Sequence, residues 1–290
     1  MRLVLPLPGN EVFAAELAQA GGWRLGSLET RRFPDGEHYV RLKDDPGGGV
    51  VDLVCSLARI DDVFLSLIFA ADAAREFGAR EVNLIAPYLG YMRQDKRFQP
   101  GEAVSSTSFA RLVSGSFDRL ITVDPHLHRF ASLGELYPIE TVVLHAAPLL
   151  GRWIRDCIVD PLVIGPDAES EQWAASVAAE AGAPHVVLRK ERIGDSDVQM
   201  TLPDLRSYHG RRPVLIDDIA SSGRTLATAA RRLIAEGFPA PDCAVVHAIF
   251  GGDAFEQVTA VASRVISTDS VPHPSNALRL APLIAAALAY

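Results

Sequence analysis

Short apolar runs recur along the chain, among them "RLVLPLPGN", "VVDLVCSLA", "EVNLIAPYLG", "RLITVDPHLH", "PLVIGPDAES", "HVVLRKERI", "RPVLIDDIASSG", "CAVVHAIFGG" and "RVISTDS". They are continuous rather than alternating, the pattern of strands covered on both faces, as in a parallel sheet. Between them lie segments with helical spacing, such as "DDVFLSLIFAADAAREFGA", "SSTSFARLVSGS", "EQWAASVAAEAGA" and "SGRTLATAARRLIAEGF". Strand and helix in alternation predict an α/β fold. Asp61 and Asp62 ahead of one apolar turn, and Gly78 behind the last, mark the ends of one helix; another stops near Gly237 and Pro239. "DDPGGGVV", residues 44 to 51, predicts a turn or hairpin loop between two short strands. Strand-ending acids in both halves, "ITVDPH" and "LIDDIA", place one division near 145, giving units 1–145 and 146–290.

Length supports the same division, since 290 residues exceed most single cores. With 28 Lys and Arg against 36 Asp and Glu, the net charge is −8. No general basic field exists to attract nucleic acid or an anionic membrane, so a phosphate-bearing ligand needs local cations and backbone amides. Cys55, Cys157 and Cys243 are widely spaced, which argues against a zinc or disulfide framework and for a reducing compartment. Pro6 and Pro8 interrupt the first apolar run, which reads as a strand rather than a signal peptide. The tail "LRLAPLIAAALAY" is well short of a membrane span. A cytoplasmic location is the expectation.

The chemistry concentrates in "RRPVLIDDIASSGRTLATAARRLIAEG", residues 211 to 237. Ligands of open α/β sheets bind beyond the carboxyl ends of strands, and this run delivers Asp217 and Asp218 to such an end. The small-residue loop that follows opens a helix at about Thr225, where backbone N–H groups form an anion cradle. Carboxylates suit sugar hydroxyls and amides suit phosphate, so the stretch predicts a sugar-phosphate site. The plain alternative is a loop started by Asp218 and a helix capped by Ser222.

"VLIDDIASSGRTL" resembles the ribosyl-5-phosphate loop shared by type I phosphoribosyltransferases and ribose-phosphate pyrophosphokinases; Arg224 stands where those families usually have a second small residue. Further motifs point to the pyrophosphokinases. "RRFPDGEHYVRL" resembles their F-S-D-G-E segment, with Phe33, Asp35 and Glu37 at adenine-binding positions and Pro34 in place of Ser. "APYLGYMRQDKRFQPGEAVS" resembles "PYYGYARQDRK…GEPIS" closely, which puts Arg93, Gln94, Asp95 and Lys96 beside the nucleotide. "LITVDPHLHRF" is similar to the "DLH" element, with His126 as a magnesium-holding residue, Asp124 behind it and His128 as the nearby alternative. "LVIGPDAESEQWA" takes the place of "SPDHGG": Asp167 matches, whereas Ala168, Glu169 and Ser170 replace His-Gly-Gly. In "VVLRKERIGDSDVQM", Lys190 and Arg192 match the Lys-x-Arg that opens the family's catalytic flexible loop. Neither a P-loop nor a G-x-G-x-x-G run is present.

The resemblance implies two type I phosphoribosyltransferase-like α/β domains, each a mainly parallel sheet flanked by helices. It implies transfer of the β,γ-diphosphoryl group of ATP to the C1 hydroxyl of ribose 5-phosphate, with Mg2+ as cofactor and a homo-oligomeric state. Phe33, Asp35, Glu37, Arg93, Gln94, Asp95 and Lys96 would hold ATP. Asp217 and Asp218 would hold the ribose hydroxyls, and Ser221, Ser222, Gly223 and Thr225 its 5-phosphate. His126 and Asp167 are the metal candidates, and Lys190 and Arg192 the catalytic pair. The departures at 168–170 and 224 leave open a non-catalytic nucleotide-binding regulatory paralogue; a phosphoribosyltransferase is a further reading, though it would have no reason to keep "GYMRQDKR".

Overall fold

The computed structural model describes residues 1–127, 129–167, 170–193 and 197–289, with side chains excepted at 190–193 and 197–200. The chain divides into two compact units, residues 1–144 with 270–272 and 279–290, and residues 145–269 with 273–278.

In the first unit the elements run β1 (Arg2–Pro6), α1 (Glu11–Gly21), β2 (Arg24–Leu25), β3 (Leu28–Arg32), β4 (His38–Leu42), β5 (Val50–Val54), α2 (Ile60–Glu76), β6 (Glu81–Ala86), α3 (Ser105–Ser114), β7 (Arg119–Val123) and β8 (Glu140–Leu144). Among the described residues its sheet has six parallel strands in the order β2-β1-β5-β6-β7-β8, and β3 and β4 form a separate antiparallel hairpin. The second unit repeats this wiring. It runs α4 (Ala147–Cys157), β9 (Pro161–Gly165), α5 (Glu171–Ala181), β10 (His185–Val187), β11 (Arg189–Ile193), β12 (Asp197–Thr201), β13 (Arg212–Ala220), α6 (Arg224–Ala235), β14 (Asp242–Ala248), α7 (Ala254–Thr259), β15 (Arg264–Thr268) and β16 (Asn276–Leu278). Its parallel sheet has the order β10-β9-β13-β14-β15-β16, with β11 and β12 as the antiparallel hairpin. The α/β expectation of two mainly parallel sheets flanked by helices is what the structure has.

The continuous apolar runs occupy the middle strands: β5, β6 and β14 are almost wholly buried, and β13 is buried from Pro213 to Ile216, because helices cover both faces of each sheet. Each sheet also buries one carboxylate against an arginine. Asp52 lies 2.7 Å from Arg2, whose guanidinium stacks on Trp23; Asp242 lies 2.9 Å from Arg264, which stacks on Trp153. Burial outweighs the Arg2 pairing and holds the Asp52 carboxyl above its ordinary range. The buried thiols of Cys55 and Cys243 are pushed up to about 12, which makes both poor nucleophiles.

Two features depart from the sequence reading. Residues 44–51 do not join a hairpin: β4 pairs with β3, whereas β5 lies between β1 and β6. The Gly-rich run carries the chain from hairpin to sheet, with Gly47 and Gly48 at φ 57° and 69°. "HVVLRKERI" is two strands, β10 and β11, because Leu188 turns inward, fully buried, and its N–H bonds to Gly165 O at 2.9 Å.

The last helix, α8 (Ala281–Leu288), follows β16 yet packs against α1 of the first unit, where Arg279 also meets Glu16 at 3.5 Å. Helix α4 follows β8 yet packs against α5 of the second unit. Buried Ala281, Ile284, Ala285 and Leu288 face buried Phe13, Ala14, Leu17 and Ala18, a match of small and large apolar residues. No described helix is long and apolar enough to cross a membrane.

Candidate functional site

In the second unit, β13 outruns its neighbour. Pairing with β9 ends at Leu215 opposite Ile164, while pairing with β14 continues to Ala220 opposite Ala248. The residues beyond Leu215 therefore stand at an open strand end, and these include Asp217 and Asp218. Asp217 Oδ1 accepts the Asp218 N–H at 3.1 Å, and Asp218 Oδ1 accepts the Ile219 N–H at 2.7 Å. Asp167, just past the end of β9, adds a third carboxylate. Burial first, then the charges of Asp218 and Asp167, holds the Asp217 carboxyl well above the usual carboxylate range. Three acids gathered this way form a locus that favours a cation or hydroxyl donors.

The strand then turns into α6 through Ser221, Ser222 and Gly223. Gly223 is the helix cap, at φ 66°, and no side chain caps α6, so Ser222 does not serve as the cap. A Cβ on Gly223 would lie 2.9 Å from both Ala254 O and Val258 Cγ2, so glycine is required by conformation and by space. The first turn of α6 contains no acid. The N–H groups of its first turn and its positive dipole end favour an anion there, and exposed Arg224 adds charge without entering the loop's packing. Thr225 follows on the first turn, partly exposed. Behind the loop, Ile249 and Phe250 donate N–H bonds to Ala220 O, and Gly251 donates to Ser221 O. The sequence carried no cue for this support.

Ser170 Oγ donates to Asp167 O at 2.6 Å, and the Ser170 N–H bonds to the same oxygen at 3.1 Å. Ala168 and Glu169 lie outside the described residues. Lys190 and Arg192 lie in β11, opposite Met200 and Val198; their side chains lie outside the described residues.

In the first unit, Phe33, Asp35 and Glu37 form the tip of the β3–β4 hairpin. Phe33 N–H bonds to Glu37 O, Gly36 N–H to Phe33 O, and Glu37 N–H to Asp35 Oδ1. Arg31, cross-strand from Tyr39, places its guanidinium 4.6 Å from the Phe33 ring and 4.2 Å from the Tyr39 ring. The hairpin is fixed to α2 through His38 Nδ1 and Ser66 Oγ, 2.6 Å apart.

Arg93, Gln94, Asp95 and Lys96 follow β6 in a folded loop, not a loose charged run. Glu102 accepts N–H bonds from Phe98 and Gln99, Arg97 donates to Glu102 O, and Gln94 O accepts from Ser106 at the start of α3. Lys96 sits 4.9 Å from the Phe98 ring. Nearly buried Asp95 pairs with Arg129 at 3.3 Å, which joins this loop to the one after β7. That second loop carries Asp124, at a left-handed φ of 36°, and His126; His128 lies outside the described residues. Sequence reasoning missed Arg31, Glu102 and Arg129, because their partners are distant in the chain or lie across a turn.

Among the described residues, no three His, Cys, Asp or Glu side chains form a metal cage. Mg2+ differs from metals that need one: it takes hard oxygen ligands, commonly one or two carboxylates completed by phosphate and water. The Asp167 carboxylate, which stands beside that of Asp217, offers hard oxygen of that kind.

Residues 3–116 match the family model for the N-terminal domain of ribose phosphate pyrophosphokinase, and residues 132–271 match the phosphoribosyl transferase domain. A ribose-phosphate pyrophosphokinase of Methanopyrus kandleri is 36% identical over 289 residues, covering 99% of this chain and 98% of that protein. Its counterpart in Methanosarcina acetivorans is 34% identical over 283 residues, 97% of either chain. The crystal structure of phosphoribosylpyrophosphate synthetase from Mycobacterium smegmatis superposes with a TM-score of 0.84, covering 99% of this chain and 97% of that one; at 23% identity it supports the fold. Both halves of the motif set, and relatives matched from end to end, lead to one conclusion: the chain belongs to the ribose-phosphate pyrophosphokinase family.

Proposed function

We propose that this chain transfers the β,γ-diphosphoryl group of ATP to the C1 hydroxyl of ribose 5-phosphate, giving 5-phosphoribosyl 1-diphosphate and AMP. The observation that carries the reading is the continuity of β13 into α6: two strand-end carboxylates, then an uncapped helix start at Gly223. Asp217 and Asp218 accept hydrogen bonds from the ribose hydroxyls, which orients the sugar. The loop of Ser221, Ser222, Gly223 and Thr225 binds the 5-phosphate through hydroxyls and backbone N–H groups. Anchoring both ends fixes the C1 hydroxyl for attack, the positioning on which such transfers depend.

Phe33 stacks on the base while Asp35 and Glu37 accept from its exocyclic amine. Arg93, Gln94, Asp95 and Lys96 hold the nucleotide and its phosphates. The C1 oxygen bonds to the β-phosphorus, the bond from that phosphorus to the α,β-bridging oxygen breaks, and AMP departs with the bridging oxygen. The C1 hydroxyl proton is released as the bond forms. Lys190 and Arg192 place positive charge on the transferring group. Asp167 and His126 are the positions that would hold Mg2+, which when bound neutralises phosphate charge. The chain acts as a homo-oligomer in which the β3–β4 hairpin serves a neighbouring copy.

Incubation of the protein with ATP, ribose 5-phosphate and Mg2+, followed by phosphorus NMR, tests the reading. AMP together with a C1 diphosphate supports it. ADP would indicate an ordinary kinase, and binding without turnover the non-catalytic paralogue.

A further inference from the structure

Behind the ribose-phosphate loop lies a small aromatic cluster that the proposed reaction does not use. The His273 ring packs on Phe250, centroids 5.1 Å apart, and meets Phe255 edge-on at 4.6 Å; Phe250 and Phe255 are 5.3 Å apart. His273 is held rigidly. Its Nδ1 accepts the Ser275 N–H at 3.2 Å and lies 2.7 Å from Ser275 Oγ, and its own N–H donates to Asn276 Oδ1 at 2.9 Å. Ser275 Oγ continues to Ser267 Oγ at 2.8 Å, which accepts from Asn276 Nδ2 at 2.9 Å. An Nδ1 that accepts a backbone N–H fixes the neutral tautomer with its proton on Nε2. Burial supports this state by holding the imidazole below its usual range, against an opposing pull from Glu256.

Phe250 needs such restraint. Its φ of 30° lies in the left-handed region, and a bulky residue persists there only where its surroundings over-determine it. The same turn reaches the phosphate loop: Phe250 N–H donates to Ala220 O and Gly251 N–H to Ser221 O, both at 2.9 Å. In a trans peptide the carbonyl and the next N–H point in opposite directions. Holding the Ala220 and Ser221 carbonyls therefore aims the Ser221 and Ser222 N–H groups away from the turn, toward the anion site.

We infer that His273 is a positioning residue for ribose 5-phosphate: its ring locks Phe250, and the locked turn aims the N–H groups that receive the phosphate. This rests on the reading that the 221–225 loop takes that phosphate. The test is titration calorimetry of the full chain with ribose 5-phosphate and Mg2+, together with KM for each substrate. His273→Ala is expected to weaken ribose 5-phosphate binding roughly three- to tenfold and to leave KM for ATP within about twofold. Phe250→Leu should do the same, and the double variant should be no weaker than the weaker single, because both act through one turn. If His273→Ala melts below the assay temperature, His273→Asn replaces it with the same expectation, since it keeps an acceptor and loses the ring. Unchanged ribose 5-phosphate affinity in the variants, equal losses for both substrates, or effects that multiply would each overturn the assignment while leaving the loop's function intact. No ribose 5-phosphate binding by the unaltered protein would overturn the loop's function itself, and the assignment with it.

Discussion

The two units share one wiring and differ where it matters, in the loop after the third strand of each sheet. In the first unit, the loop after β5 is filled by the protein itself. Cys55 N–H bonds to Ile85 O, Ser56 N–H to Asn10 Oδ1 and Leu57 N–H to Tyr88 O. Helix α2 then starts with Asp61 and Asp62 in its first turn, which would repel an anion. In the second unit, the matching loop has Gly223 at its turn, no acid in the helix start, and carboxylates moved back onto the strand. Parallel topology supplies a helix N-terminus after several of the strands, among them β1, β5, β9 and β13. Whether it becomes a phosphate site depends on which N–H groups are already used and what charge stands beside them.

The same contrast holds for the hairpins and gives the largest expected effect. β3–β4 and β11–β12 occupy equivalent places, but one carries an aromatic tip and the other Lys190 and Arg192. Lys190→Ala is expected to lower kcat by about 10²–10³-fold with the thermal midpoint unchanged; single-turnover rates measure this, and near-normal turnover would remove the residue from catalysis. A glycine pair gives the next effect. Gly223→Ala places a Cβ against Ala254 O at a left-handed φ, and Gly90→Ala places one 2.6 Å from Leu57 O in the filled loop of the first unit. Each should destabilise by about 1–3 kcal/mol. Only Gly223→Ala should abolish ribose 5-phosphate binding, and comparable binding losses in both would dissolve the contrast between open and filled loops.

The smallest effect concerns stability and has the opposite sign. The Asp217 carboxyl titrates above its ordinary 3.8 in the folded chain, so the folded state binds this proton more readily than the unfolded one. Its contribution is most favourable below 3.8 and is lost as pH rises through the raised value, which leaves a penalty at neutral pH. Asp217→Asn should therefore raise the melting midpoint of the ligand-free protein at pH 7, on the order of 2–4 °C, and flatten this part of its pH dependence. Calorimetric scans from pH 4 to 8 check this, and a lowered midpoint at pH 7 would mean that the acid cluster is neutralised from within the chain.

Much of this was written in local pattern. The run from Pro213 to Ile216 is apolar on both faces because β13 lies mid-sheet, and the acids after it fall where β13 has outrun β9. The loop proposed to take the phosphate was legible as a turn and helix start, because Gly223 and its neighbours obey rules that act within a few residues. Other features depend on partners far along the chain. Nothing in "DDPGGGVV" says that β5 seeks β1 and β6 instead of β4. Asp95 finds Arg129 across two loops, and Phe250 packs against His273. The apolar tail was legible only as too short for a membrane span; that it forms α8 and packs on α1 was not, since any apolar groove of the right width would satisfy its composition.

That destination affects how the protein is made. Phe13, Ala14, Leu17 and Ala18 leave the ribosome early, whereas α8, which packs against that stripe, is synthesised only after the whole second unit. A nascent or prematurely terminated chain is thus predicted to display an uncovered greasy patch near its beginning, a natural handle for chaperones and for degradation. Proteolysis of a chain stopped before Ala281 should nick α1 first.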